Sequence, residues 1–127
     1  MGRLLREQGL VPDGIVSSTA LRARTTADEV GQACGYEGDI DITADLYHAS
    51  AYSAIEVLQA QADEKTLILI VGHNPGFESL LQVLTGAIER MPTCALAQVT
   101  LPIESWMELS PATDGQLEDL WFPRNLD

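Results

Sequence analysis

The sequence predicts an α/β fold: a three-layer α/β/α sandwich with helices on both faces of a mostly parallel sheet. Three observations carry that expectation. Residues 66–71 (TLILIV) form a continuous apolar, β-branched run, the pattern of a strand buried on both faces. Apolar residues recur at helical spacing in two segments ahead of it: Leu21, Ala27, Val30 and Ala33, then Ile55, Leu58 and Ala62. Strand-like and helix-like stretches alternate along the chain, which is the order of a wound α/β sheet. At 127 residues the chain suits one domain and is too short for two ordinary ones, so residues 1–127 are read as a single unit.

The elements follow in order. Residues 1–8 read as a helix, with Leu4 and Leu5 on one side and Gly9 as its stop. Pro12-Asp13-Gly14 is a turn, and residues 14–17 a short buried strand. Ser17, Ser18 or Thr19 is positioned to cap a helix over 20–34, which Gly35 ends. Residues 36–45 are acidic and turn-rich. A helix over 51–62 and the strand at 66–71 come next. After Gly72-His73-Asn74-Pro75-Gly76, a helix over 77–84 runs to Gly86. Residues 95–101, 106–109 and 117–122 read as strands that complete the sheet around the Asp114-Gly115 turn.

Charge narrows the function classes. Seven Lys+Arg against nineteen Asp+Glu give a net charge of -12, so general affinity for nucleic acid or anionic membrane is not expected. Four of the seven basic residues (Arg3, Arg6, Arg22, Arg24) lie in the first 24 positions, and residues 25–64 hold nine acids and no Lys or Arg. An arginine kept in such a chain is a candidate for a specific anionic partner. Cys34 and Cys94 are sixty positions apart, which suits neither a disulfide framework nor a zinc module. No apolar run reaches the ~18 residues of a membrane helix, and the first residues lack the pattern of a signal peptide. A cytoplasmic protein without metal or cofactor is the expectation.

In wound sheets, ligands sit beyond the carboxyl ends of the strands. Two segments meet that description. In Ser17-Ser18-Thr19-Ala20-Leu21-Arg22, hydroxyl residues lead into a helix whose first-turn N–H groups favour an anion, and Arg22 can fork onto phosphate oxygens. The alternative is a capped helix with solvated arginines. In Val71-Gly72-His73-Asn74-Pro75-Gly76, a histidine follows a buried strand and precedes a turn, where a protonated imidazole can donate to a phosphoryl oxygen. His48, in Leu46-Tyr47-His48-Ala49-Ser50, reads as a rim or capping residue. No third ligand at a suitable spacing supports a metal on His48 and His73, and no G-x-S-x-G elbow supports a serine hydrolase.

Taken together, these segments resemble the histidine phosphatase superfamily, whose fold is phosphoglycerate mutase-like, and within it the SixA-type phosphohistidine phosphatases. The likeness rests on Ser-Ser-x-x-x-Arg-Ala-x-x-Thr-Ala at 17–27 and Val-Gly-His-Asn-Pro-Gly at 71–76. It extends through Asp45-Leu46-Tyr47-His48-Ala49-Ser50 and Pro92-Thr93-Cys94-Ala95-Leu96-Ala97, so it covers nearly the whole chain. The resemblance implies that Arg22, with Ser18, holds the phosphoryl group and that His73 stabilises charge on it. His48 and Asn74 fall at the pocket rim. The substrate it implies is phosphohistidine in a protein, or a small phosphomonoester.

The sequence departs from the family at one point. The family nucleophile is a histidine in an Arg-His-Gly/Ala motif at the end of the first strand, and no Arg-His pair occurs in these 127 residues. The first strand is therefore expected to be missing, a late start at an internal methionine being the simplest reading. The chain as given is expected to be inactive, and to self-associate through the sheet edges left open. The alternative function is a non-catalytic module that binds phosphate or a phosphoprotein, and a truncated product without function is a third reading.

Overall fold

The computed structural model describes residues 1–122. Helix α1 (Gly2–Glu7) leads to strand β1 (Gly14–Ser18), then α2 (Leu21–Cys34) and β2 (Ile40–Thr43). A 3-10 turn at Ala44–Leu46 precedes α3 (Ala51–Gln59), β3 (Ile68–Val71) and α4 (Gly76–Thr85). Strand β4 (Leu96–Thr100), a 3-10 turn at Trp106–Glu108 and β5 (Gln116–Trp121) complete the order.

Strands β2, β1 and β3 form a parallel sheet in that order. Every residue of β1, the middle strand, is buried. Its side chains alternate between faces: Ile15 lies beside Gly31 of α2, whereas Val16 joins Leu46, Ile55, Leu58, Leu80 and Leu84 in the core beneath α3 and α4. The two layers of helix expected from the sequence are thus present, one on each face. Gly35 closes α2 in the left-handed conformation, at φ 83°. Asp13 ties the entrances of β1 and β3 together. Its Oδ2 accepts from Thr66 N (2.9 Å), Thr66 Oγ1 (2.9 Å) and Leu67 N (3.1 Å), which holds its carboxyl below the ordinary carboxylate value.

Four expectations are corrected. Residues 36–45 contain β2, a four-residue strand whose alternating Ile-Asp-Ile-Thr pattern is too short to stand out without its partner β1. Residues 106–109 hold a 3-10 turn, not a strand. Ser105 caps it, Asp63 accepts from Ser105 Oγ and Trp106 N, and Trp106 Nε1 donates to the Lys65 carbonyl at 2.7 Å. Strands β4 and β5 pair antiparallel as a separate sheet among the described residues, with a register shift between Gln98 and Val99. Finally, β3 is only half-buried at each of its four positions, because among the described residues a single edge of it is paired, with β1. Cys34 is buried and Cys94 exposed, both as free thiols. No helix among the described residues is long and apolar enough to cross a membrane.

Candidate functional site

The parallel register of β1 and β3 sets Ser17 opposite Val71, so the residues that follow both strands emerge side by side. There Ser18 Oγ lies 3.3 Å from His73 Nε2. Ser18 is fully buried and also accepts from Ala20 N at 3.2 Å. Its hydroxyl donates to an unprotonated Nε2 or accepts from a protonated one, so either form of the imidazole is held in place. Ser17, equally buried, donates to the Ser18 carbonyl at 2.9 Å.

This arrangement corrects one expectation. None of Ser17, Ser18 and Thr19 caps α2: the N-cap is Ala20, without a side-chain hydrogen bond. The Ser18 hydroxyl is committed to His73 and to the turn before the helix. Ser18 is thus buried and within hydrogen-bond reach of the imidazole. The uncapped end of α2 leaves first-turn N–H groups without a side-chain acceptor, the condition under which helix ends hold anions. Arg22 stands in that first turn, exposed, and lines the same cleft of about 1390 Å³ as His73 and Asn74.

A ring cluster forms the other side of His73. The centroids of His48 and His73 are 6.1 Å apart, those of Tyr47 and His73 6.1 Å, and those of Tyr47 and His48 4.3 Å. His48 is exposed and adopts φ 52°, an uncommon conformation for a residue with a side chain. The loop is pinned on both sides. Leu46 is buried in the core, and Ser50 caps α3 by accepting from Ser53 N at 3.2 Å. The amino end of α4 presses on the same loop: a Cβ at Gly76 would overlap the Ala49 carbonyl oxygen. Gly76 therefore sets the distance between the two histidine-bearing segments.

Asn74 is exposed, but both ends of its amide are engaged. Its Nδ2 donates to the Met91 carbonyl, and its Oδ1 accepts from Glu78 N at 3.1 Å. Glu78 Oε2 accepts in turn from Met91 N at 2.6 Å. These bonds lash the loop after β3 to the segment leading towards β4. The Asn74–Pro75 peptide is cis. Gly72 is required by packing, since a Cβ there would lie 2.6 Å from the Phe77 ring. No group of three or more His, Cys, Asp or Glu able to hold a metal occurs among the described residues.

The structure thus brings Ser18, His73, His48 and Tyr47 together and sets Arg22 and Asn74 on the adjoining cleft. Tyr47 was not singled out from the sequence. Its only signal was its place beside His48, and an aromatic residue at a loop position is usually just that.

No protein-family model matches the chain. An uncharacterized protein of Mycobacterium leprae (strain TN) is 34% identical over 86 residues, 68% of this chain. The matched stretch spans about half of that relative, 51% of its length. Among solved structures, the protein histidine phosphatase SixA complexed with tungstate superposes with a TM-score of 0.83 at 25% identity, over 99% of this chain and 78% of that one. A candidate SixA phosphohistidine phosphatase from Agrobacterium tumefaciens gives 0.78 at 26% identity, over 96% of this chain and 75% of its own. A further one from Nakamurella multipartitia gives 0.80 at 20% identity, covering 96% and 77%. With this topology, and with a histidine at the carboxyl end of β3, the chain has the fold of the SixA-type histidine phosphatases.

Proposed function

We propose that this domain is a phosphatase of the SixA-like class, acting on phosphohistidine in a protein or on a small phosphomonoester. The observation that carries the reading is the contact at 3.3 Å between the buried Ser18 and His73, beside a cleft that Arg22 also lines. Phosphoryl transfer is mainly positioning and charge stabilisation around oxygen atoms, and these residues supply both. Arg22 grips two phosphoryl oxygens, and the uncapped end of α2 adds N–H donors and a positive dipole end. His73, held by Ser18, donates to a third oxygen on which charge accumulates. His48 guards the opening, with its ring 6.1 Å from that of His73. One of the related structures holds tungstate, a tetrahedral oxyanion of the kind this site suits.

Covalent transfer by the family's route needs an imidazole in line with the bond that breaks. His73 in the stabilising position lies beside the phosphoryl group and cannot also attack it. No Arg-His pair is present in the 127 residues to supply that imidazole. The same absence favours a second reading, a module that binds phosphate or a phosphoprotein without turning it over.

Turnover of phosphohistidine distinguishes the two. The 127-residue chain is expected to release no phosphate above a His73→Ala control. A version carrying an apolar strand that ends in Arg-His-Gly, fused ahead of α1, is expected to be active and to lose about 10²–10³ of its rate on His73→Ala. If the fused version binds tungstate yet stays inert, the binding-module reading holds. If the 127-residue chain is itself active, another residue is the nucleophile and these roles fall.

A further inference from the structure

Three rings meet at the candidate site, and the chemistry proposed above uses two of them, His73 and His48. The third, Tyr47, contacts both. Its ring stands at 77° to that of His73, with centroids 6.1 Å apart, and at 78° to that of His48, with centroids 4.3 Å apart. The two imidazoles are tilted by only 30° from each other, so the Tyr47 ring is nearly upright against each. The backbone beneath it is fixed. Leu46 is buried, the Tyr47 amide donates to the Ala44 carbonyl at 3.0 Å, and the start of α4 presses on Ala49 two residues further on. Yet 51% of Tyr47 is exposed. Leu21, beside Arg22 in the first turn of α2, and Tyr52, in the first turn of α3, are also exposed at this end of the sheet, at 76% and 59%. A bare oxyanion has no apolar part to cover such surface. A group bonded to the oxyanion does.

We propose that Tyr47 is a specificity-determining residue: its ring receives a flat aromatic group that carries the anion, and so favours aryl and heteroaryl ligands over alkyl ones. The inference rests on the reading of Arg22 and His73 as ligands of the phosphoryl oxygens. With the Tyr47 and His73 centroids 6.1 Å apart, a ring bonded to an anion on His73 lies within contact reach of Tyr47. Two edge contacts and a pinned loop already orient the Tyr47 ring, so a flat partner meets a preformed surface and little freedom is lost on binding. An alkyl chain covers the same ring only by fixing its own rotors, which opposes binding. The selection comes from the face of the ring and needs no hydroxyl. Phenylalanine would serve at this position, whereas leucine, apolar but not flat, would not.

The probes are phenylphosphonate and methylphosphonate, which share a charged head and differ in the group it carries, titrated at a pH where both are dianions. The 127-residue chain is expected to bind the phenyl compound about three- to tenfold more tightly, the size of one aromatic pair. Nuclear Overhauser contacts are expected between the phenyl protons and the Tyr47 ring. Tyr47→Leu should bring the ratio of the two affinities to about one, and Tyr47→Phe should keep it. A ratio near one in the parent chain, a ratio that survives Tyr47→Leu, or the absence of phenyl contacts to Tyr47 would overturn the proposal. If neither phosphonate binds, or if both bind without dependence on Arg22, the phosphate reading falls and this inference falls with it. Arg22-dependent binding of both, at a ratio indifferent to Tyr47, would end this inference alone.

Discussion

Replacing Ser18 by alanine removes one oxygen atom from a site that is sealed from solvent, and its consequences can be worked out from two distances. The hydroxyl lies 3.3 Å from His73 Nε2 and 3.2 Å from Ala20 N. Each such bond contributes about 1 kcal/mol net, and a buried group left without its partner costs about 1–3 kcal/mol. Ser18→Ala is thus expected to destabilise the fold by about 2 kcal/mol, a melting shift of roughly 4–10 °C for a domain of this size. Stability alone would not separate a positioning role from a structural one. The discriminating readout is sulfate affinity, since sulfate keeps its charge between pH 6 and 8. With His73 unfixed, affinity is expected to fall about three- to tenfold, and the His73 ring resonances to lose their response to sulfate. Ser18→Thr, which keeps the hydroxyl, is expected to retain that response despite the strain of an added methyl. If Ser18→Ala lowers stability but leaves sulfate affinity and the ring response unchanged, the hydroxyl does not position His73, and that part of the reasoning fails.

Three further outcomes are expected. Asp13 has a lowered carboxyl pKa in the fold, so its contribution is present above the ordinary value of 3.8 and is lost as pH falls through the lower folded value. Asp13→Asn should therefore lower the urea midpoint at pH 7, with the gap to the parent closing below about pH 4; a gap independent of pH would contradict this. Gly76→Ala forces the start of α4 away from Ala49. It is expected to separate the His48 and His73 rings, read as lost nuclear Overhauser contacts of His73 with Tyr47 and His48, and unchanged contacts would refute the role given to Gly76. The edges of β3 and β4 that have no partner strand among the described residues are expected to make the 127-residue chain self-associate at high concentration. Light scattering should report this; a monomer at all concentrations would count against it.

What could be read from the sequence was what local chemistry decides. The run TLILIV marks β3 whatever surrounds it, and the helices before and after it carry their own apolar spacing and stops. Arg22 and His73 were legible because each follows a strand, and strand ends are where a wound sheet presents ligands. The misses were decided at longer range. Strand β2 exists because β1 offers it an edge, and its four residues carry no signal of their own. Residues 106–109 look like a strand until Asp63, forty-two positions before Ser105, claims Ser105 and the Trp106 amide. Ser18 read as a cap because nothing in the sequence reveals that its hydroxyl faces a histidine fifty-five positions on. Tyr47 sits in the loop that α4 approaches where Gly76 meets Ala49, a contact between backbones that side-chain identity does not announce.

The central claim is that one oxyanion is held jointly by the start of α2 and by His73. A tungstate titration of the isotope-labelled protein, followed by NMR, tests it most directly. The amides of Leu21, Arg22 and Ala23 and the His73 ring are expected to shift together with a single dissociation constant. Arg22→Ala should weaken that constant about 10- to 100-fold, as expected for the loss of charge-assisted hydrogen bonds. His73→Ala should weaken it too. Shifts confined to one of the two segments, two different constants, or an affinity indifferent to Arg22→Ala would mean that these residues do not share a ligand.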